Sequence, residues 1–297
     1  MKIMLFGGMG QLGSILQKKF PIRHILVTPN QSLINMYNQN IIKDYIIDNN
    51  PDLIINFSAF TNVDECESNK KLAYDLNANT PKIISESASI IDSKFIHLST
   101  DYVFNKKGND FLDEETEIKP ISVYGKSKAL GEKYIMDTKT QYIILRTSWL
   151  YSDIGKNFFL TIKYLLNQKN KINVVNDQFG APTLAYDLVD SIIFIINFLE
   201  KTERKKTNLQ NIVGIYHVSN AGSTSWYEFA CKIADKLGYD PSTKIIPINT
   251  KDFDSIAKRP FNSKLDNSKL KKIFNIEMPF WKESFEKFYK NIESQKS

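Results

Sequence analysis

The first twenty residues constrain the fold more than any other stretch of the chain. Residues 2–6 (KIMLF) are a short, mostly apolar run that leads directly into GGMGQLG at 7–13 and an amphipathic stretch at 14–20. This order predicts a buried strand, a glycine turn and a helix. Gly7, Gly10 and Gly13 are three residues apart, a spacing that suits a sharp turn, a backbone open to a phosphate, and a helix close to the sheet.

The predicted helix begins at the glycine turn. A helix N-terminus offers free N–H groups and a partial positive charge, which together favour a pyrophosphate. A glycine-rich turn can also be purely structural, but its position at the start of an α/β pattern favours nucleotide binding. The residues expected to bind a dinucleotide here are Gly7, Gly10, Gln11, Leu12 and Gly13.

The chain has 297 residues, 42% hydrophobic and 24% charged, which is enough for one large α/β domain and a smaller one. Strand and helix patterns alternate in the first half, which predicts a doubly wound parallel sheet of the Rossmann type. We expect an NAD(P)-binding domain in residues 1–151 that also receives parts of 171–220, and a smaller C-terminal substrate-binding lobe formed mainly by 152–297.

Charge and cysteine content narrow the function classes. The net charge of +6 suits an anionic substrate, and the densest basic run, at 203–206, lacks the stripe that nucleic-acid binding needs. Cys66 and Cys231 are far apart, so we expect no disulfide, no zinc site and a reducing compartment. The N-terminus enters a strand without a signal-peptide pattern, and the apolar stretch 191–199 is too short to span a bilayer. A cytoplasmic protein with no membrane partner is expected.

Small and polar residues follow the predicted strands. The third strand (52–57) leads into Ser58, Ala59, Phe60 and Thr61, where small side chains leave room for a cofactor at the crevice of the sheet. After the second strand, neither an acid nor an Arg decides between NADH and NADPH. Asn35 and Met36 flank the adenine in one interpretation and form a surface loop in the other.

Tyr124 and Lys128 are four residues apart on a predicted helix and therefore share one face. A free tyrosine has a pKa near ~10, and a nearby ammonium would lower that pKa towards neutrality. Thr100, at the end of the fourth strand (94–98), can hold a substrate carbonyl oxygen for protonation by Tyr124. His97 and His217 lie within strands and are expected in the core, whereas His24 is expected on the surface.

Taken with Ser99-Thr100-Asp101-Tyr102-Val103-Phe104, these motifs resemble those of the extended short-chain dehydrogenase/reductases. Within that group the chain resembles the dTDP-4-dehydrorhamnose reductase family over nearly its whole length. Arg146-Thr147-Ser148-Trp149, the 177–183 segment DQFGAPT and the 259–263 segment RPFNS also carry the resemblance. The STDYVF and DQxGxPT segments are far more specific than the glycine turn.

The resemblance implies reduction of the 4-keto group of dTDP-4-dehydro-L-rhamnose by NADPH or NADH, in cell-surface polysaccharide biosynthesis. It implies a catalytic set of Thr100, Tyr124 and Lys128, the last two also touching the cofactor. It further implies a substrate-binding set composed of Thr100, Asp101, Tyr102, Trp149, Arg259 and Asn262.

Some members of the family bind magnesium at a dimer interface through glutamates, one just after the glycine turn. Here Ser14 and Ile15 occupy that place, so we expect no metal and a monomer or weak homodimer. Two alternatives remain open. One is a non-catalytic cofactor-binding subunit like the regulatory subunit of methionine adenosyltransferase, and the other is a nucleotide-sugar epimerase or dehydratase.

Overall fold

A computed structural model of the chain describes residues 1–29, 39–204 and 212–294. Its main sheet consists of β1 (Lys2–Phe6), β2 (Ile25–Val27), β3 (Leu53–Asn56), β4 (Lys94–Thr100), β5 (Tyr142–Thr147) and β10 (Gly214–His217). The strands are parallel and lie in the order β2–β1–β3–β4–β5–β10. The order reverses between β1 and β3, which makes a crevice at the carboxyl ends of these strands. The predicted doubly wound sheet is confirmed.

Helices cover both faces of the main sheet. Along β1, Ile3 and Leu5 point to one face and Met4 and Phe6 to the other, as strand periodicity requires. The first face packs against α1 (Gln11–Lys19), α8 (Ala185–Arg204) and α11 (Ser268–Phe274). The second packs against α2 (Gln39–Asn49), α5 (Thr80–Ile90) and α6 (Val123–Met136).

The chain between β3 and β4 is helical but not continuous. It consists of α3 (Val63–Ser68), α4 (Lys70–Tyr74), a π-helical turn (Asp75–Asn79) and α5. Pro81 lies in the first turn of α5, where its missing N–H costs little. The π-helical turn itself was not predicted.

The second lobe has its own core, in which Tyr151, Phe229, Trp281 and Phe285 are buried together. Its helices are α7 (Phe158–Gln168), α9 (Trp226–Lys236), α10 (Pro241–Lys244) and α12 (Trp281–Ser294). Its short strands are β6 (Leu150–Tyr151), β7 (Ile172–Val175), β8 (Phe179–Gly180), β9 (Thr183–Leu184), β11 (Thr224–Ser225), β12 (Ile245–Ile248) and β13 (Asn262–Ser263). Both α8 and β10 pack with the main sheet. The segment between α7 and α8, which contains β7, β8 and β9, belongs to the second lobe.

All three histidines are buried, although one of them was expected on the surface. His97 and His217 are fully buried, as predicted, but His24 is buried too, at 6% exposure, and its surface placement was wrong. The ring packs against Phe20, with Glu200 of α8 nearby. Among the described residues, the helices are all too short or too polar to cross a bilayer.

Candidate active site

The glycine turn lies at the carboxyl end of β1, beside the end of β3. Gly7 has φ +82°, and a Cβ on it would come within 2.6 Å of the Ser58 nitrogen. A Cβ on Gly13 would lie 2.2 Å from the Gly7 carbonyl oxygen, so close packing requires glycine there. Among the residues that the structure describes, a Cβ on Gly10 would meet only the Gly7 oxygen, at 3.4 Å. Gly10 caps α1 without any side-chain hydrogen bond, which leaves the N-terminus of that helix open to an anion.

Gln11 joins the glycine turn to the second lobe. Its Oε1 accepts a hydrogen bond of 3.1 Å from Nδ2 of Asn157, the N-cap of α7. Its Nε2 is buried and has no partner among the described residues. A buried donor without an acceptor is costly, so this amide beside the open helix end suits a ligand that brings an acceptor oxygen. Leu12 contributes its side chain to the core, so any ligand contact it makes is through its backbone.

Asn77, in the π-helical turn, fixes the segment that follows β3. Its Oδ1 accepts from the Phe60 nitrogen at 2.7 Å, and its Nδ2 donates to the Phe60 oxygen at 3.0 Å and to Ser127 Oγ at 3.1 Å. The expected cofactor-binding stretch Ser58 to Thr61 is thereby held against α6. Sequence reasoning missed Asn77 because a π-helical turn has no reliable residue signature.

Thr100 and Tyr124 meet at the end of β4. Ser122 caps α6 through its Oγ, which places Tyr124 in the first turn of that helix. Burial raises the pKa of Tyr124 well above its usual range, and a hydrogen bond with Thr100 is the main influence that lowers it. Thr100 Oγ1 also donates to Asp101 Oδ1 at 3.1 Å. The expected juxtaposition of hydroxyl and phenol is present.

The expectation that Lys128 lowers the pKa of Tyr124 does not agree with the position of its side chain. Its Nζ lies 3.1 Å from His97 Nε2 and donates to the Leu98 oxygen at 2.7 Å, both on β4. Burial lowers the pKa of Lys128 to about 8, against the raising effect of Glu132. The Nζ of Lys128 is thus turned towards the strand. In this geometry Thr100 is the group that counters the effect of burial on the phenol.

A buried ion pair lies beneath the site. Glu132 accepts from Arg146 Nε at 3.0 Å and from Nη2 at 2.7 Å, with both side chains fully buried. Ser99 Oγ donates to the same Glu132 carboxylate at 2.5 Å. This pair ties α6, which carries Tyr124, to β4 and β5, and sequence reasoning missed Glu132.

Asp101 is buried at 2% exposure, and its Oδ2 has no partner in the described part of the chain. Burial raises the pKa of this carboxyl to about 6, opposed by hydrogen bonds from Ser263 and Thr100. Ser263 is on β13, so Asp101 connects the main sheet to the second lobe. Its unpartnered oxygen beside Thr100 can accept a hydrogen bond from a hydroxylated ligand.

Trp149 follows β5 in a left-handed conformation with φ 50°, which is rare for a bulky residue. Its indole stacks on that of Trp226, the first residue of α9, at 3.6 Å between centroids and 11° between planes. The ring also lies against Gly180, where a Cβ would approach it within 2.7 Å. Sequence reasoning selected Trp149 but missed Trp226.

Arg259 belongs to the second lobe and reaches back to the first. Its Nη2 donates to Asp64 Oδ2 at 2.9 Å, while the other carboxylate oxygen of Asp64 accepts from the Ala257 nitrogen at 2.9 Å. Tyr102 shares a hydrogen bond with Arg259, and its ring meets that of Tyr124 edge-on at 5.3 Å. A guanidinium is therefore connected to the phenol through one aromatic side chain.

Three further residues were expected at the site: Asn262, Asn35 and Met36. Asn262 is buried, and its amide is used within the protein, donating to the Asp110 oxygen at 2.9 Å and accepting from the Lys264 nitrogen at 3.1 Å. Asn35 and Met36 lie outside the described residues. Among the residues that the structure covers, no cluster of three or more His, Cys, Asp or Glu could hold a metal ion.

The fold and the site are those of an extended short-chain dehydrogenase/reductase. They combine a glycine turn that suits a dinucleotide, a threonine at a strand end, and a helix with Tyr and Lys four residues apart. More closely, the chain belongs to the family described as RmlD substrate binding domain, whose model matches residues 1–294.

Relatives match along nearly the whole chain. The spore coat polysaccharide biosynthesis protein SpsK of Bacillus subtilis is 32% identical over 97% of this chain and 96% of its own. The dTDP-4-dehydrorhamnose reductase of Salmonella typhimurium is 33% identical over 95% of this chain and 94% of its own. The crystal structure of the dTDP-4-dehydrorhamnose reductase of Bacillus anthracis in complex with NADP has a TM-score of 0.88 at 32% identity, covering 98% of this chain and 99% of that one.

Proposed function

We propose that this protein is an NAD(P)H-dependent dTDP-4-dehydrorhamnose reductase, which reduces the 4-keto group of dTDP-4-dehydro-L-rhamnose to a hydroxyl. The observation that carries the proposal is the meeting of Thr100 and Tyr124 at the end of β4, with Lys128 one turn along α6. Full-length similarity to named dTDP-4-dehydrorhamnose reductases supports it.

The residues around the glycine turn fit a dinucleotide. The open N-terminus of α1, the free space at Gly10 and the unpartnered Nε2 of Gln11 all suit a pyrophosphate. The segment Ser58 to Thr61, fixed by Asn77, would lie along the cofactor on the β3 side of the crevice. When bound, a reduced nicotinamide supplies hydride. NADP in the Bacillus anthracis relative supports a phosphorylated cofactor for this chain also.

The chain's own residues supply the proton and the orientation. Tyr124 Oη would donate its proton to the substrate oxygen as negative charge develops there. Thr100 Oγ1 would hold the same oxygen, since it already lies within hydrogen-bond reach of the phenol. Lys128 would contact the cofactor ribose.

Asp101, Tyr102 and Trp149 would lie near the sugar of the substrate, with Arg259 toward its nucleotide end. The buried, unpartnered oxygen of Asp101 suits a sugar hydroxyl. The planar guanidinium of Arg259 suits a diphosphate. Asn262, whose amide is used internally, would shape the pocket by holding the loop at Asp110 rather than by direct contact.

Other features stay predictions. We propose a dinucleotide domain in 1–151 with contributions from 171–220, and a substrate lobe formed mainly by 152–297. A cytoplasmic location, a monomer or weak homodimer, and the lack of a metal requirement or a nucleic-acid or membrane partner belong to the same proposal. Ser14 and Ile15, where a metal-binding glutamate would be needed, support the metal-free reaction.

The two alternatives lack support from particular residues. A non-catalytic cofactor-binding subunit does not need Thr100, Tyr124 and Lys128 together. A dehydratase of this fold would use an acid/base pair after the threonine, and here Asp101 is followed by Tyr102 and not by Glu.

The test is the oxidation of NADPH and of NADH, in parallel, with and without dTDP-4-dehydro-L-rhamnose. We expect oxidation only with the keto-sugar nucleotide. A folded protein that binds either cofactor but oxidises neither would contradict the proposal and favour the non-catalytic alternative.

A further inference from the structure

A series of hydrogen-bonded polar side chains connects the end of β3 to Lys128. Ser58 bonds to Asn56, Asn56 Nδ2 lies 3.2 Å from His97 Nδ1, and His97 Nε2 lies 3.1 Å from Lys128 Nζ. Asn56 and His97 are fully buried and Lys128 is 2% exposed. These buried groups must therefore satisfy one another's hydrogen bonds. Neither Asn56 nor His97 was selected from the sequence.

The orientation of the Asn56 amide is set by a backbone donor. The Ser58 N–H lies 3.0 Å from Asn56 Oδ1, and the Ser58 hydroxyl is 2.5 Å from the same oxygen. A backbone N–H can only donate, so the atom facing it must be the amide oxygen. The amide nitrogen of Asn56 therefore faces His97 and donates to it.

The tautomer of His97 follows from that donation. Nδ1 receives an N–H from Asn56 and so must carry a lone pair, which leaves the single proton of a neutral imidazole on Nε2. Burial and the nearby Lys128 lower the pKa of His97 well below its usual range, which keeps the ring neutral. The N–H of Nε2 then points at Lys128 Nζ.

Lys128 faces one donor and one acceptor. The described partners of its Nζ are His97 Nε2 and the carbonyl oxygen of Leu98. An ammonium has three hydrogens and no lone pair. It would therefore place an N–H donor opposite the His97 N–H donor, with no acceptor for either. An amine has a lone pair for that N–H and still donates to Leu98.

We propose that His97, held by Asn56, is a positioning residue that offers its Nε2–H to Lys128 and so favours the amine of Lys128 over the ammonium. The proposal rests on the proposed function for its catalytic consequence. After Tyr124 gives its proton to the substrate, a proton moving from the Lys128 ammonium re-forms the phenol. The amine that remains is already hydrogen-bonded by His97, which lowers the cost of that transfer.

The charged surroundings of Lys128 agree with this assignment. On its own helix, Glu132 favours the ammonium, but Arg146 of β5 neutralises Glu132 through two hydrogen bonds. The groups facing Lys128 from β4 are the neutral His97 and a backbone carbonyl. Behind them are the uncharged Asn56, the last residue of β3, and Ser58, which follows the strand. Burial then dominates, and the lowered pKa of Lys128, about 8, has the sign that the hydrogen-bond pattern requires.

The first test needs no variant at this site. The chain has three histidines, so ¹⁵N-detected imidazole spectra are simple enough to assign, with His24→Gln and His217→Gln identifying two of them. We expect the His97 signals of the folded wild-type protein to show the Nε2–H tautomer. An Nδ1–H tautomer, or a doubly protonated ring, at neutral pH would overturn the proposal.

The second test measures Lys128 directly, by its ¹³Cε shift against pH, assigned with Lys128→Met. Asn56→Asp is nearly isosteric but accepts at both oxygens, so His97 must move its proton to Nδ1 and turn a lone pair to Lys128. We expect the pKa of Lys128 to rise by about one unit or more in this variant. His97→Gln, which can turn an amide oxygen to Nζ, should raise it too. His217→Gln, a buried histidine elsewhere, is the matched control and should leave it unchanged.

A Lys128 titration that is the same in wild type, Asn56→Asp and His97→Gln would overturn the proposal. In the reductase assay, the alkaline limb of kcat should move to higher pH in these variants along with the titration, because the proton held by Lys128 is then lost at higher pH. If the wild type oxidises neither cofactor, the proposed function fails, while the tautomer and the titration still decide the role of His97.

Discussion

The indole rings of Trp149 and Trp226 stack at 3.6 Å between centroids, with an angle of 11° between their planes. Trp149 follows a strand of the main sheet, and Trp226 begins a helix of the second lobe, so one ring pair joins the two halves of the molecule. Trp149 also has a left-handed backbone, which surrounding contacts must stabilise. Trp226 is therefore expected to hold Trp149 in place for the substrate.

Replacing Trp226 with Leu should raise KM for the nucleotide sugar by about three- to tenfold with a smaller effect on kcat, since aromatic stacking is worth ~0.5–1.5 kcal/mol. Closely stacked indoles couple electronically, so the near-ultraviolet circular dichroism of the wild type should contain a paired-indole signal that the variant lacks. Trp281, the third tryptophan, is buried in the second-lobe core, and Trp281→Phe should keep the signal. Loss of the signal with unchanged KM would separate Trp149 from substrate binding.

Tyr124→Phe should lower kcat by about 10²–10⁴-fold, the usual loss on removal of a positioned general acid. Cofactor affinity, measured by calorimetric titration with NADPH, should change little, because the ring remains. Tyr142→Phe, on β5 away from Thr100, is the control and should be as active as wild type. Turnover of Tyr124→Phe within a few-fold of wild type would remove this phenol from the mechanism.

Gly10 and Gly13 should respond differently to a side chain. Gly10→Val fills space that the described residues leave open at the helix N-terminus, so it should abolish NADPH binding while the thermal transition stays near that of wild type. Gly13→Val places its Cβ against the Gly7 carbonyl and should lower the melting temperature. Unchanged NADPH affinity in a folded Gly10→Val protein would make the turn structural only.

The buried Glu132–Arg146 pair should matter for stability far more than an exposed pair. Arg146→Leu leaves the Glu132 carboxylate buried without its partner and should cost about 3–5 kcal/mol in the free energy of unfolding. The exposed pair of Lys71 and Asp75 is the comparison, since Lys71→Ala should cost about 0.5 kcal/mol or less. Urea unfolding measures both, and equal losses would mean that Glu132 is stabilised by other groups.

Arg259→Lys should raise KM for the nucleotide sugar about tenfold and leave NADPH affinity unchanged, because an ammonium lacks the planar fork that suits a diphosphate. Arg23→Lys, at an exposed arginine that pairs with Glu200, is the matched control. An unchanged KM would limit Arg259 to its ion pair with Asp64.

Much of the fold was predictable because its signals are local. The glycine turn, the apolar strands and the Tyr124–Lys128 spacing each report a structure formed within a few residues of the chain. Thr100 could be placed at the ligand-binding edge of the sheet because the carboxyl ends of parallel strands converge there. The π-helical turn that carries Asn77 left no local pattern and was missed.

The rest of the site depends on contacts between distant parts of the chain. His97 contacts Lys128 across 31 positions, and Asp64 contacts Arg259 across 195. Trp226 meets Trp149 because the second lobe folds over the sheet, which no spacing in the sequence encodes. Separation along the chain also explains His24, which is covered by α8 from much later in the sequence.

The most direct test of the central claim follows a labelled hydride. The protein would be incubated with NADPH that carries deuterium at the transferable position of the nicotinamide and with dTDP-4-dehydro-L-rhamnose, and the product analysed by mass spectrometry and proton NMR. The proposed reaction predicts dTDP-L-rhamnose with one deuterium on C4 of the sugar, formed in step with cofactor oxidation. Recovery of unlabelled sugar, or of a dehydrated or epimerised product without label at C4, would contradict it.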